Sequence, residues 1–281
     1  MDNMQVVGDG APFTRLIDLE QLEENLYRGT CHPGAPLTAF GGHVAAQSLI
    51  AAGSTVPEER TVHSLHGYFI RPGRTDRPIV YQVDRTREGS SFTTRRVVAL
   101  QDGETIFSLS ASFQRPETSQ EHQVGMPEAP QPGDLIAGSG PEEEAERAIF
   151  QGSLETRRVT ELREDSGNAR APQQKMWVRV VGELPDVPLV HACALTYTSD
   201  VRLASTAYLP FSGDSTAPRM ASLDHAVWFH RPFRADTWLL FTMDSPSFSS
   251  SRGLTRGQFF TQDGKLVASV VQEVLIRRRR S

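Results

Sequence analysis

Two polar residues lie on surfaces that this sequence otherwise predicts to be apolar, and both side chains could take part in hydrolysis. Residues 266, 268, 270, 272, 274 and 276 share one face of a predicted strand, and Gln272 is the polar member of that set. Asp200 shares a stripe of a predicted helix with Cys193, Tyr197 and Ala204. Because an unpaired buried carboxylate or amide is costly, each residue must be exposed, paired or functional.

The chemistry open to this pair is the activation of water. A carboxylate can act as a general base, and an amide can fix the position of the attacking molecule. The competing interpretation is that Asp200 faces solvent and that Gln272 lies at a sheet edge. The sequence shows no G-x-S-x-G, H-E-x-x-H, phosphate-loop or dinucleotide pattern, and no metal-ligand spacing. We therefore expect no metal and no cofactor.

A second candidate region is the pair Gly41-Gly42, which precedes an Ala-rich predicted helix, His43–Ala52. Glycine permits close backbone approach, and a helix N-terminus offers free amide hydrogens to a carbonyl oxygen or a phosphate. Gly41 and Gly42 are therefore expected to bind substrate. His63 is also a candidate for substrate binding and is the alternative base, because histidine titrates near neutral pH. Its competing interpretation is a structural histidine.

The elements that would position these residues occur twice, at a distance of about 160 residues. Val62–Pro72 is matched by Ser222–Pro232, and the Gln-Asp-Gly at 101–103 is matched by the one at 262–264. A predicted helix precedes the strands in each copy, at His43–Ala52 and at Ala192–Ala204. Solenoid repeats are far shorter, so this period indicates a duplicated domain. A helix followed by antiparallel strands, twice, predicts the α+β class.

Boundaries follow from the same patterns. The predicted strands are Leu26–Gly29, Val62–Ile70, Arg77–Glu88, Phe92–Gln101, Glu104–Phe113, Met176–Val181, Leu223–Arg231, Trp238–Ser245, Ser251–Thr261 and Leu266–Ile276. We expect one unit over 12–115 and a second over 172–281. Prolines and an acidic run mark 116–171 as a linker that spans the distance between the copies, with a short helix near Glu142–Phe150.

Composition limits the partners and the compartment. The 34 acidic residues outnumber the 29 basic ones, which argues against nucleic-acid binding. No apolar run approaches the ~20 residues of a membrane span. Two cysteines without a C-x-x-C motif suit a reducing cytoplasm. The basic end, Arg277–Arg280, is either a solvated tail or a contact for a substrate phosphate.

The motifs together resemble the acyl-CoA thioesterase II family from about residue 16 to residue 277. They are Phe40–Val44, Val62–Gly73, Ser199-Asp200, Leu223–Phe233, Thr261–Gly264 and Gln272-Glu273. The resemblance implies a double hotdog, in which each half wraps an antiparallel sheet around a long helix and the halves pack as a pseudo-dimer. It also implies hydrolysis of acyl-CoA to fatty acid and CoA, with neither a metal nor a covalent intermediate.

By the same resemblance, the catalytic residues are Asp200, Ser222 and Gln272, which hold and activate the attacking water. Some relatives carry Thr at the position of Ser222. The first copy has Val62 near the position of Ser222 and Ala111 near that of Gln272. One active site per chain, in the second copy, is therefore expected. We also expect a homo-oligomer, either a dimer or a tetramer.

Two other functions remain open at this point. A hotdog enoyl-CoA hydratase would be expected to contain an Asn-Pro within its catalytic motif, and this sequence has none. A non-catalytic acyl-CoA-binding protein would keep the fold, but it would have no need of all three polar residues. The sequence leaves the preferred acyl chain length open.

Overall fold

Two buried helices and one antiparallel sheet make up the fold. The computed structural model describes residues 12–31, 38–135, 150, 152–159, 170–211 and 218–277. Helix α1 (Gly41–Gly53) and helix α2 (Pro188–Ser199) pack against each other. From Gly42 to Gly53, and from Val190 to Ser199, every residue is buried. This burial explains the many small residues, because only small side chains let helices and sheet approach closely on every side.

The strands of the described residues belong to a single sheet. In the first half they are β1 (Glu20–Glu23), β2 (Leu26–Gly29), β3 (Thr61–Phe69), β4 (Ile79–Glu88), β5 (Phe92–Gln101) and β6 (Glu104–Gln114). In the second half they are β7 (Leu154–Arg158), β8 (Gln173–Val180), β9 (Arg219–Ser222), β10 (Asp224–Phe229), β11 (Leu239–Ser249), β12 (Arg252–Thr261) and β13 (Leu266–Arg277). All ten predicted strands are confirmed, with ends shifted by a few residues, whereas β7 and β9 were not predicted. For β1, the alternation over Leu16–Asn25 was compatible with either a helix or an edge strand, and the structure has a strand.

The order of the strands shows the duplication. It runs β1-β2-β4-β5-β6-β3-β10-β13-β12-β11-β8-β7, with β9 paired to β13. Read outward from the central pair β3–β10, the two halves follow the same succession. The α+β class and the two tandem helix-and-sheet units are therefore confirmed. At the β5–β6 hairpin, Asp102 and Gly103 both have positive φ, as the Asp-Gly turn predicts.

Strand register also fixes which residues of the two copies are equivalent. The central pair joins Ala226 to its own counterpart, His66. Two further pairs extend the comparison: Ala226 with Val271, and His66 with Ser110. These pairs make Val271 equivalent to Ser110, so the next residue, Gln272, is equivalent to Ala111. In the same way Ser222 pairs with Val274 while Val62 pairs with Phe113, so Ser222 is equivalent to Val62.

The second helix is shorter than predicted, and Asp200 does not lie on a helical stripe. The helix ends at Ser199, Asp200 is its C-cap, and Arg202 is left-handed with φ 60° before a short helix α3 (Leu203–Thr206). The Thr198 and Ser199 hydroxyls donate to backbone carbonyls of the preceding turn. Such side-chain bonds compete with the helical ladder and favour its termination. The prediction of one continuous helix to Ala204 was therefore wrong.

The stretch predicted as a linker makes specific contacts with the second half. Its residues 154–158 form strand β7, which pairs with β8. Further upstream, Trp177 Nε1 donates to the Pro130 carbonyl at 2.7 Å, and Met126 and Ala129 pack on the apolar cluster around Trp177. Apart from Phe150, the helix expected near Glu142–Phe150 lies outside the described residues, as does the tail beyond Arg277.

Candidate active site

One amide joins the three side chains that the resemblance singled out. Gln272 Nε2 donates to Asp200 Oδ1 at 2.8 Å and to Ser222 Oγ at 2.8 Å. The three residues come from different elements: strand β13, the C-cap of α2 and the end of β9. The structure therefore brings Asp200, Ser222 and Gln272 together.

Strand geometry explains the position of Gln272 and Ser222. Burial alternates along β13, and Gln272 on its inner face is fully buried among apolar neighbours. Strand β9 pairs with β13 so that Ser222 lies opposite Val274. Leu223 N continues the ladder by donating to Glu273 O at 2.8 Å, while the Leu223 carbonyl leaves it and accepts from Phe69 N of β3 at 3.0 Å. Asp224 then accepts a hydrogen bond from Glu273 N at 2.6 Å, which fixes the chain just beyond Ser222.

The first half contributes a backbone donor to this site. Gly42 N, in the first turn of α1, donates to Asp200 Oδ2 at 2.8 Å. A side chain could not be accommodated here, since a Cβ on Gly42 would lie 2.4 Å from the Tyr197 carbonyl oxygen. A Cβ on Gly41 would lie 2.8 Å from Asp200 Oδ2. The glycines thus permit close approach as predicted, but the Gly42 amide is occupied by Asp200.

The environment of Asp200 makes it a stronger base than an ordinary carboxylate. Burial raises its pKa from 3.8 to about 6, although the hydrogen bonds from Gln272 and Gly42 act in the opposite direction. Positive helix-dipole charge at the start of α1 stabilises the ionised form in the same way. The Asp200 carboxylate is therefore ionised at neutral pH, yet it is basic enough to accept a proton from a bound molecule.

Hydrogen-bonding capacity remains at the site after these contacts are made. The Gln272 Oε1 atom is buried and has no hydrogen-bond partner among the described residues. The amide orientation follows from its partners, because an oxygen facing the Asp200 carboxylate would be repelled. Ser222 accepts from this amide and keeps its own proton to donate. Together the site presents one free acceptor, one hydroxyl donor and one carboxylate, which is a set suited to holding water.

His63 lies elsewhere. Its Nε2 is 2.8 Å from Ser112 Oγ, and its ring meets Phe92 edge-on. Ser112 alternates with the buried Ala111 and Phe113, so it faces away from the helices. Partial burial lowers the pKa of His63 below its usual value. The structure does not bring His63 to the three residues that Gln272 connects.

The equivalent place in the first copy is occupied differently. Ala111, the counterpart of Gln272, pairs with Arg95, whereas Gln272 pairs with Thr255. Arg95 is fully buried and donates to Thr55 Oγ1 at 2.7 Å and to Thr55 O at 2.9 Å, just beyond the end of α1. It also pairs with Glu88. The first copy therefore lacks the polar set of the second.

Sequence reasoning missed two contacts of Asp200 and its neighbours. The Gly42–Asp200 bond joins residues 158 positions apart, and no local pattern indicates it. The second is a buried bond between Ser199, next to Asp200, and His225, with Oγ and Nε2 2.7 Å apart. The sequence does contain a signal for the His225 bond: the repeat aligns His225 with Leu65, so a polar residue stands where the first copy has an apolar one.

Neither a metal cluster nor a spanning helix is found in the part of the chain that the structure describes. Groups of three or more His, Cys, Asp or Glu side chains in ligand geometry do not occur there. Likewise, none of the helices in the described residues combines the length and the apolar character that crossing a membrane requires.

Comparisons with known proteins identify the family. A family model described as acyl-CoA thioesterase matches residues 145–275, and one described as its N-terminal domain matches residues 29–114. Human acyl-coenzyme A thioesterase 8 is 37% identical over 94% of this chain and 88% of its own length. Acyl-CoA thioesterase 2 of Haemophilus influenzae is 36% identical over 93% of this chain and 96% of its own.

Solved structures give the same result. An acyl-CoA thioesterase II from Mycobacterium marinum is 45% identical, with a TM-score of 0.82 over 96% of this chain and 98% of that one. A hot dog fold protein from Alicyclobacillus acidocaldarius, at 20% identity and a TM-score of 0.78, covers 95% of this chain and 98% of its own. The latter likeness supports the fold alone.

Proposed function

This chain belongs to the acyl-CoA thioesterase II family of double-hotdog thioester hydrolases, and we propose that Asp200 activates the water that hydrolyses its acyl-CoA substrate. The observation that carries this proposal is the Gln272 amide, which bridges Asp200 and Ser222 in the second copy. In the first copy Ala111 and Val62 stand in place of Gln272 and Ser222. Each chain accordingly has one catalytic site.

Asp200 is the general base in this mechanism. With a pKa of about 6, it is ionised at neutral pH and still basic enough to take a proton from attacking water. The water is held by Gln272 Oε1, which accepts a hydrogen bond, and by the Ser222 hydroxyl, which donates one. These two contacts leave a lone pair of the water free to attack.

The reaction proceeds through a tetrahedral intermediate. The water oxygen bonds to the thioester carbon while its proton passes to Asp200, and the carbonyl oxygen becomes an oxyanion. Collapse then breaks the carbon–sulfur bond, and the proton on Asp200 neutralises the departing thiolate of CoA. Because a thiolate is a good leaving group, the step requires neither a metal nor a covalent enzyme intermediate.

The oxyanion is stabilised at the mouth of α1. The Gly42 amide is engaged by Asp200, so Gly41 is the donor we assign to the oxyanion. As a first-turn residue, Gly41 has no helical acceptor for its N–H. A preorganised backbone donor aimed at developing charge is a large contribution to catalysis.

A reducing cytoplasmic location and a homo-oligomeric state stay predictions. Cys31 and Cys193 are both buried free thiols, and burial raises the pKa of each. Such thiols suit a compartment in which disulfides do not form. Size-exclusion chromatography with light scattering would distinguish a dimer or tetramer from a monomer.

Release of free CoA tests the function directly. The protein is incubated with acyl-CoA of short to long chain and a thiol-reactive dye. Asp200→Asn is expected to lower kcat roughly 10²–10⁴-fold, which is the usual effect of losing a general base. Ser222→Ala should also lower kcat, whereas Ser222→Thr should retain most activity because it keeps the hydroxyl.

The matched control is Asp244→Asn, which changes a partly exposed carboxylate of the second half that pairs with Arg256. Its turnover should equal that of the wild type. Wild-type turnover by a folded Asp200→Asn would refute the assignment of the base. Binding of acyl-CoA without release of CoA at any chain length would instead support a non-catalytic binding protein.

A further inference from the structure

A buried hydrogen bond joins His225 to Ser199, the residue immediately before the proposed base. His225 and Ser199 are 1% and 0% exposed, and His225 Nε2 is 2.7 Å from Ser199 Oγ. The Ser199 hydroxyl also lies 2.9 Å from the Thr196 carbonyl oxygen, which can only accept. Nothing in the proposed reaction uses either side chain.

The hydrogen-bond pattern decides the tautomer of His225. A hydroxyl has one proton, and the Thr196 carbonyl needs it, so Ser199 Oγ accepts from His225 Nε2–H. His225 Nδ1 is then an acceptor without a partner, which costs less than an orphaned N–H donor in the same buried place. Burial lowers the pKa of His225 to about 4, so the ring is neutral at pH 7.

The pair connects the end of the helix that precedes Asp200 to the strand that follows Ser222. Ser199 ends α2 and immediately precedes Asp200, while His225 lies on β10, three residues after Ser222. The bond therefore fixes the end of the helix to the strand segment that positions the serine. In the first copy, which lacks the polar set, the position of His225 is taken by the fully buried Leu65.

We propose that His225 is a positioning residue, which holds the end of α2 through Ser199 so that Asp200 meets Gln272 and Gly42 together. This inference rests on the proposed role of Asp200 as the base. Asp200 is the C-cap of α2, where its N–H bonds to the Thr198 carbonyl, and the chain turns left-handed at Arg202, so the regular helical ladder does not extend past it. Displacement of a catalytic group by about 1 Å can lower a rate by roughly 10²-fold.

The pH dependence of turnover separates positioning from mere structural support. The groups that contact the Asp200 carboxylate are the Gln272 amide and the Gly42 N–H, and both lower its pKa. No charged side chain of the described residues contributes to that pKa. If the end of α2 shifts, these hydrogen bonds lengthen and the acidic limb of the kcat–pH profile moves to higher pH.

The experiment compares His225→Leu, which reproduces the first copy, with His225→Gln, whose amide nitrogen can replace Nε2 as a donor. We expect His225→Leu to lower kcat roughly 10- to 10²-fold with KM within about twofold, and to raise the acidic limb. His225→Gln should retain kcat within about threefold and keep the limb in place. Ser199→Ala removes the same bond from the other side, so it should reproduce the kcat and pH effects of His225→Leu.

The matched control is His230→Leu, because His230 Nε2 also lies 2.8 Å from a serine hydroxyl, that of Ser269, but at the surface. Its kcat should be unchanged. Wild-type kcat and pH profile in folded His225→Leu or Ser199→Ala would overturn the proposal. Inactive but folded His225→Gln would also overturn it, since the imidazole itself would then be required. Wild-type turnover in folded Asp200→Asn, measured in parallel, would instead refute the proposed role of Asp200 as the base.

Discussion

Asp200 is acidic enough to be ionised at pH 7 and basic enough to accept a proton, and its surroundings explain both properties. Burial raises its pKa, and the Gln272 and Gly42 hydrogen bonds limit the rise to about 6. In the first copy the equivalent of Gln272 is Ala111, and the residue paired with it across the strands is Arg95. Differences of a few polar residues thus separate the unit that carries the proposed site from the unit that does not.

The kcat–pH profile should show this pKa. We expect kcat to be low at acidic pH, where Asp200 is protonated, and to rise with a midpoint near the pKa of about 6. Gln272→Ala should lower kcat and move the midpoint upward, because it removes a hydrogen bond that lowers the pKa. A profile that is flat between pH 5 and 8 under chemistry-limited conditions would contradict the assignment.

The same group should destabilise the fold at neutral pH. Its folded pKa of about 6 lies above its ordinary value of 3.8, so its contribution to stability is present below pH 4 and is lost as pH rises through 6. Asp200→Asn should therefore raise the free energy of unfolding by about 1–3 kcal/mol at pH 7 and have a smaller effect near pH 4. Urea unfolding at the two pH values measures this, and equal stability changes at both would argue against it.

At the scale of elements, the close approach of α1 to α2 is what brings a backbone donor to Asp200. Tyr197 O and the Asp200 side chain fill the space where a Gly42 Cβ would lie. The helices approach as closely at the other end of α1, where a Cβ on Gly53 would lie 2.3 Å from Leu189 Cδ2. The two ends differ in the atom that a new Cβ would meet: a backbone carbonyl oxygen at Gly42 and the end of a flexible leucine side chain at Gly53.

Alanine substitutions at these two glycines test the arrangement. Gly42→Ala should separate the helices, break the Gly42–Asp200 bond and lower kcat roughly tenfold or more, with a raised acidic limb. Gly53→Ala should retain most of the activity because Leu189 can change rotamer. Turnover and its pH dependence are compared in the two folded variants. Equal activities would show that the Gly42 donor is not needed.

At the scale of the molecule, the site depends on both halves even though its three side chains come from the second. Gly42 belongs to the first half, and the continuous sheet across β3 and β10 fixes its distance from Asp200. The first unit, which has no equivalents of the proposed catalytic groups Gln272 and Ser222, thus still contributes Gly42 to the site in the second unit.

Exhaustive chelation should leave this activity intact. One oxygen of Asp200 accepts a hydrogen bond from Gln272 and the other accepts one from Gly42. This arrangement suits a free carboxylate rather than a metal ligand. The sequence also shows no ligand spacing. Turnover is measured before and after prolonged treatment with EDTA. Loss of activity that one specific metal ion restores would contradict this prediction.

Local regularities in the sequence determined most of the fold. Alternation of apolar residues, the Asp-Gly turn and the internal repeat indicated the strands, the α+β class and the inner face that Gln272 shares. The resemblance then added Ser222, which has no local pattern of its own. These features were readable because the periods of two and 3.6 residues depend only on neighbouring residues.

Tertiary structure alone decided how the site is assembled. The helix ends at Ser199 rather than at Ala204 because hydroxyl side chains and the Asp200 contacts compete with its ladder. His63, conspicuous in sequence, lies on the outer face beside Ser112. The Gly42 donor and the His225–Ser199 bond join residues 158 and 26 positions apart. Contacts of this kind depend on how whole elements pack, so periodicity along the chain carries no trace of them.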